Sequence, residues 1–276
     1  VLTMKKTQIN FSIILPTLNE SQNLHFLIPE IYTVLNESSQ KSKFDFEVIV
    51  VDDNSEDDTH EVVNELIKVN KNLQIIIRSE NRSLSDSISD GIKLAQNEYI
   101  IWLDADGSMP ANTILELIET QIANKQQVII GSRFVKGGGY KGISSEVKTS
   151  IFSAMLNVAK SKDSVLGLIL SIIFNKLLVL LMPTRVKDIT SGFISIRKDY
   201  IDYDVFINKV YGEYFLYLIT DLFKKKVSIK EIGYICETRV FGESKTAPNI
   251  LKLIKRGLPY IKAGYNCRKD LNGYKR

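Results

Sequence analysis

The sequence predicts an α/β fold: a mostly parallel central sheet flanked by helices. Three observations carry the prediction. Strand-like and helix-like patterns alternate between residues 11 and 133. The strand runs are apolar almost throughout, as in sheets covered on both faces. Polar and charged residues gather just after those runs, at the carboxyl edge where open α/β sheets bind ligands.

Each element has its own signal. FSIILP (Phe11–Pro16) reads as the first strand, with a helical segment from Ser21 to Leu35. FEVIVVDD (Phe46–Asp53) is the second strand, before a helix from Glu56 to Val69. LQIIIR (Leu73–Arg78) is the third, before a helix from Leu84 to Ala95. YIIWLDADGSMP (Tyr99–Pro110) supplies the fourth and ends in two carboxylates, Asp104 and Asp106; a helix from Ala111 to Asn124 follows. QVIIGSR (Gln127–Arg133) is the fifth. Short apolar runs bounded by turn residues are strand signals, and this alternation implies βαβ units.

Composition is that of an ordinary globular protein, 44% hydrophobic and 25% charged, and 276 residues can bury a sizeable core. Cys236 and Cys267 have no metal-ligand spacing, and with no disulfide framework a reducing, cytoplasmic setting is expected. His25 and His60 lie in polar helical surroundings and read as solvated. VLTMKKTQINFS has no apolar core of the kind a signal peptide carries. From Lys252 to Arg276 there are eight Lys or Arg and one acidic residue, so the rest of the chain is net acidic. A basic, amphipathic tail suits an anionic surface, and a membrane rather than nucleic acid is expected.

The first turn narrows the chemistry. Pro16-Thr17-Leu18-Asn19-Glu20 contains no glycine, so the dinucleotide fingerprint is absent, and no G-x-x-x-x-G-K-[ST] loop occurs. Instead the strand ends offer Glu20, Asp52, Asp53, Arg78, Asp104 and Asp106. Two carboxylates one residue apart repel unless a cation neutralises them, and hard divalent cations prefer oxygen ligands. The pattern points to a metal-dependent site for a phosphorylated substrate. Asp104-Ala105-Asp106-Gly107-Ser108 also fits a D-x-D-G-[TS] phosphatase nucleophile motif, although three βα units precede it here.

LPTLNE, VVDDNSEDDT, the DAD tripeptide with Pro110 four residues after Asp106, and GSRFVKGGG together resemble a family 2 glycosyltransferase of the A-type, nucleotide-sugar-binding fold. DITSGFISIRKD (Asp188–Asp199) and TRVFGESK (Thr238–Lys245) resemble the branch of dolichol-phosphate mannose synthase and polyprenyl-phosphate glycosyltransferases. The resemblance implies that Pro16, Glu20 and Asp53 hold the nucleoside and that Asp104, Ala105 and Asp106 belong to the donor site. It implies Mg²⁺ or Mn²⁺ on Asp104 and Asp106, with Ser108 as the further candidate ligand where the close family has glutamine. It also implies Arg133, Arg239 and Lys245 near the phosphates, with Asp188 and Asp106 as the catalytic candidates; Asp188 is expected to orient the acceptor or the metal shell, since a phosphate acceptor needs no strong base. Ser83-Leu84-Ser85 stands where that family has G-L-G, where a serine could cap the helix. Thr17 stands where an aromatic is frequent.

The remaining segments suit a lipid acceptor. KGGGYKGI (Lys136–Ile143) reads as a basic lid, with a helix expected over Ser145–Lys160. Val165–Pro183 is the most apolar stretch, yet Asn175 and Lys176 sit near its centre, where a lysine costs roughly 2.5–3.5 kcal/mol on insertion scales. An interfacial or docked helix is expected rather than a spanning one. Pro248–Ala263 has an amphipathic pattern that Gly257 and Pro259 should weaken or kink. The chain therefore reads as a catalytic domain over 9–246 (donor half 9–133, acceptor half 134–246) and a basic amphipathic segment over 247–276. The expected activity is inverting, metal-dependent hexose transfer from a GDP-mannose or UDP-glucose type donor to a dolichyl or undecaprenyl phosphate, peripherally on the cytoplasmic face of a membrane. Transfer to a glycan hydroxyl and a non-catalytic nucleotide-sugar-binding role are the alternatives.

Overall fold

The computed structural model describes residues 8–79, 82–124, 126–140, 143–144, 165–182, 184–238, 241 and 250–274. The predicted alternation is present: β1 (Ile9–Thr17), α1 (Ser21–Asn36), β2 (Phe44–Asp52), α2 (Thr59–Val69), β3 (Leu73–Ile77), α3 (Leu84–Leu94), β4 (Tyr99–Trp102), α4 (Ala111–Asn124) and β5 (Val128–Ser132). After these come β6 (Gly139–Tyr140), β7 (Ile143–Ser144), α5 (Val165–Leu181), β8 (Ile194–Arg197), α6 (Tyr214–Lys224), β9 (Ile229–Gly233), β10 (Ile235–Cys236) and α7 (Ile250–Tyr274). The helix expected over Ser145–Lys160 lies outside the described residues.

The main sheet has the order β3-β2-β1-β4-β8-β5-β9. All neighbours run parallel except β8, which is antiparallel to both β4 and β5. Successive strand residues face opposite sides, and β1 shows the consequence. Phe11, Ile13 and Leu15 join α1 and α4 residues such as Leu24, Ile28 and Leu117 in one core. Ile14 joins Ile49, Val51, Trp102, Ile88 and Ile92 of α3, and Phe215, Leu218, Ile219 and Leu222 of α6 in the other. Both faces are covered, so the strands read as continuous apolar runs.

A third cluster joins the last helices to the domain: Leu178 and Met182 of the α5 region, Leu216 of α6, and Ala263 and Cys267 of α7. Here the structure departs from the sequence expectation. α7 is one 25-residue helix through Gly257 and Pro259, extending to Tyr274. Proline in a helix interior costs about 3 kcal/mol, a penalty that the buried face of Ala263, Cys267 and Leu271 can offset. Part of the glycine-rich stretch is paired. Gly139–Tyr140 pairs in parallel with Ile235–Cys236 and in antiparallel with Ile143–Ser144, forming a small second sheet.

Candidate active site at the carboxyl edge of the sheet

β1 lies between β2 and β4, so successive connections leave it in opposite directions and open a crevice at the carboxyl ends. The loops after β1, β2, β3, β4 and β5 all arrive there. Because β8 is antiparallel, the segment that precedes it, Asp188–Gly192, arrives at the same edge.

The loops after β1 and β2 are tied together by polar side chains. Asn19 N–H donates to Ser55 Oγ (2.7 Å), and Glu56 N–H donates to Asn19 Oδ1 (2.7 Å). Glu20 N–H donates to Thr59 Oγ1 (3.2 Å), and Ser21 N–H to Asp57 Oδ2 (3.1 Å). Asn19 and Asn54 take positive φ (53° and 60°), a conformation asparagine tolerates better than most residues. Fully buried Asp52 anchors the second loop, accepting from Ser55 N–H (2.8 Å) and Ser55 Oγ (2.5 Å). His60 Nε2 lies 2.6 Å from Asp52 Oδ2, so this histidine supports the loop instead of being merely solvated. Pro16 is buried at the end of β1 beside Val51. Glu20 Oε2 accepts from Asn23 Nδ2 (2.6 Å).

Asp53 lies at the centre of the next group. Its carboxylate accepts from Arg78 Nη1 and from Ser83 N–H (2.6 Å). Arg78 Nε also donates to Asp90 Oδ2 (3.0 Å). Burial would lower the Arg78 pKa, but the Asp90 hydrogen bond and the Asp53 charge bring it above its ordinary value. The serine departures have structural uses. Ser83 caps α3 by accepting from Asp86 N–H (3.1 Å), with an extended φ of −158°. Ser85 Oγ donates to Phe206 carbonyl (3.0 Å).

Asp104 and Asp106 follow β4, where Gly107 (φ 76°) makes the turn that a side chain would disfavour. Asp106 is buried and its Oδ1 accepts from Ser108 N–H (2.9 Å), while Ser108 carbonyl accepts from Glu237 N–H (2.9 Å). Ala105, between the two aspartates, is buried in the core. Among the described residues no group of three His, Cys, Asp or Glu could hold a metal ion unaided. The Asp104–Asp106 pair still fits a hard divalent cation: Mg²⁺ is commonly bound by one or two carboxylates, with water and substrate phosphates completing the shell.

Arg133 and Asp188 form the other side. Arg133 Nε and N–H both donate to Asp188 Oδ2 (2.8 Å each), and Nη2 donates to Asp188 Oδ1 (2.8 Å). Asp188 is fully buried. Burial alone would lower the Arg133 pKa, but the Asp188 charge and hydrogen bonds raise it well above the usual arginine value. Both Asp188 oxygens are thus engaged by Arg133. Asn175 was legible only as a polar interruption in α5, and it staples that helix to the same loop. Its Oδ1 accepts from Ile189 N–H (3.0 Å) and Thr190 Oγ1 (3.2 Å), and its Nδ2 donates to Lys187 carbonyl (2.7 Å). Burial pushes the Cys236 thiol up to about 11; Arg133 opposes that rise and Asp106, Asp104 and Asp188 add to it. Arg239 and Lys245 lie outside the described residues.

Comparison with known proteins gives the family and the fold. Residues 12–203 match the family model described as Glycosyl transferase family 2. A dolichol-phosphate mannosyltransferase from Pyrococcus furiosus is 31% identical over 241 residues, covering 85% of this chain and 58% of that protein. A dolichol-phosphate mannosyltransferase from Saccharomyces cerevisiae is 30% identical over 131 residues, covering 48% of this chain and 47% of that protein. Glucosyl-3-phosphoglycerate synthase from Mycobacterium tuberculosis superposes with a TM-score of 0.58 at 14% identity, over 95% of this chain and 80% of that one. A mannosyltransferase from Pyrobaculum calidifontis, solved in complex with GDP-Man and Mn²⁺, superposes with a TM-score of 0.53 at 15% identity, over 95% and 70%. At such identities the structural likeness speaks to the fold alone. With its A-type fold and a family match over most of its length, the chain belongs to glycosyl transferase family 2.

Proposed function

We propose that the protein transfers a hexose from a nucleotide sugar of the GDP-mannose or UDP-glucose type to a polyprenyl phosphate, with inversion. One observation carries the acceptor half of this reading: Asn175 binds α5 to the Asp188–Thr190 loop. The same helix exposes Ile173 (56%), Leu177 (44%) and Leu180 (78%). The helix that borders the Arg133–Asp188 pair thus also carries, on its opposite side, an exposed apolar face that suits a lipid. α7, which packs on α5 in the third cluster, exposes Leu258, Ile261 and Tyr265. Among the described residues no helix is long and apolar enough to cross a membrane. Peripheral contact with an anionic leaflet, as on the cytoplasmic face, fits these faces and the basic α7.

In this reading Glu20 and Asp53 hold the nucleoside, preoriented by the paired loops. A divalent cation bound by Asp104 and Asp106, with Ser108 adjoining, would neutralise the donor diphosphate and ease its departure. Arg133, held protonated and fixed in angle by Asp188, offers positive charge to a phosphate at the same edge. Asp188 acts as its positioning residue. A phosphomonoester acceptor, with a second pKa around 6, is already mostly ionised near neutral pH, so this reaction needs no strong general base. Its oxygen attacks the anomeric carbon in line as the bond to the diphosphate breaks.

A panel of nucleotide sugars tested with a short polyprenyl phosphate, with and without Mn²⁺, checks the proposal. One donor should give a glycolipid only with the divalent cation, and Asp104→Asn or Asp106→Asn should lower turnover by about a hundredfold or more. Product formed on a sugar hydroxyl, with none on the lipid phosphate, would overturn the acceptor. Full turnover by Asp188→Asn would remove its positioning role.

A further inference from the structure

Tyr260 of α7 meets the corner formed by residues 207–212, just before α6. The Tyr260 ring stands edge-on to Phe174 of α5 (centroids 5.7 Å apart, planes at 75°), and its hydroxyl lies directly against Gly212. A Cβ at Gly212 would collide with that hydroxyl, so glycine is what lets helix and corner meet. Glu213, Asp104 and Arg133 all act electrostatically on the same hydroxyl.

From Gly212 the contacts lead to the donor side. Glu213 accepts from Val210 N–H (3.1 Å) and Tyr211 N–H (2.9 Å). Val210 carbonyl accepts from Leu84 N–H (3.1 Å), and Lys209 carbonyl from Ser83 Oγ (2.9 Å). Ser83 N–H in turn donates to Asp53 Oδ2 (2.6 Å). On the other flank Trp102 Nε1 donates to Tyr214 Oη (2.9 Å), two residues before Asp104. The corner has little apolar anchorage of its own, since Ile207 and Val210 are about half exposed (54% and 47%). Hydrogen bonds hold it, and the Tyr260 hydroxyl bears on it from outside the corner.

We infer that Tyr260 is a positioning residue for the donor site, fixing through the Gly212 corner the Ser83 amide that orients Asp53. The C-terminal helix then belongs to the catalytic unit and is more than an anchor. This rests on the donor half of the proposed function and is independent of the acceptor.

Calorimetry of nucleoside diphosphate binding with Mn²⁺, alongside donor kinetics, tests it. Tyr260→Phe removes the hydroxyl with little change in volume, and Gly212→Ala displaces it from the other side. Each should weaken nucleotide binding and raise the donor KM by about fivefold while kcat stays within about twofold. Asn266→Ala removes a different α7 hydrogen bond, to Tyr217 Oη (3.3 Å), and should leave nucleotide affinity unchanged. Wild-type affinity in Tyr260→Phe, or an equal loss in Asn266→Ala, would overturn the inference. If the wild-type protein bound no nucleotide with metal, the donor reading and this inference would both fail. If it bound nucleotide but ignored polyprenyl phosphate, only the acceptor reading would fail.

Discussion

Asp57 shows how one carboxylate can hold two loops of a site. Burial raises its pKa, but hydrogen bonds from the Thr59 hydroxyl and the Ser21 and Thr59 amides outweigh that and bring it below the usual aspartate value. An unfolded aspartate titrates near about 3.9. The ionised form therefore contributes stability that is fully present above that pH and is lost as pH falls through the lower folded value. Asp57→Asn should flatten this acid limb in a plot of urea midpoint against pH. Near neutrality it should cost about 1 kcal/mol, the scale of a net hydrogen bond. Equal acid sensitivity in the two proteins would show that the loops are held elsewhere.

At the scale of elements, α3 lies close to β1 because Gly91 has no side chain. A Cβ there would meet Ile14 Cγ2 at 2.6 Å and Val51 Cγ2 at 2.9 Å. Two effects compete in Gly91→Ala. Helix propensity favours alanine by about 0.8–1.0 kcal/mol, whereas overpacking a filled core costs about 1–3 kcal/mol. Both neighbours are fully buried β-branched side chains with little room to yield, so overpacking should win. A lower denaturation midpoint is expected, and a raised one would mean that α3 can shift outward freely. The same competition explains α7, where apolar packing overrides the local penalties of Gly257 and Pro259.

For the whole molecule, the exposed apolar residues of α5 and α7 lie on neighbouring helices that share one cluster. Burying one leucine is worth roughly 1.5–3 kcal/mol. Replacing both Leu177 and Leu180 with glutamate should therefore weaken binding to anionic vesicles by about a hundredfold or more. Flotation should fall while the melting temperature and metal-dependent nucleotide binding stay near wild type, because both residues are exposed. Unchanged flotation would exclude this face from membrane contact.

Local pattern was enough to read the first four βα units, the fifth strand and the apolar α5. Strand and helix periods are properties of neighbouring residues, and both faces of the sheet are buried. It also placed Glu20, Asp53, Asp104 and Asp106 at strand ends, because an apolar run that stops at carboxylates marks the edge of a core. Tertiary structure decided what those residues do to one another. The insertion of β8 between β4 and β5 brings Asp188 to Arg133, 55 positions away in the chain. Asp52 meets His60, Arg78 turns inward to Asp53 and Asp90, and Asn175 faces the Asp188 loop instead of lipid. Each pairing joins groups whose partner depends on which element lies alongside. A buried charge or amide must be satisfied by whatever the packing brings within reach, and no local period records that choice.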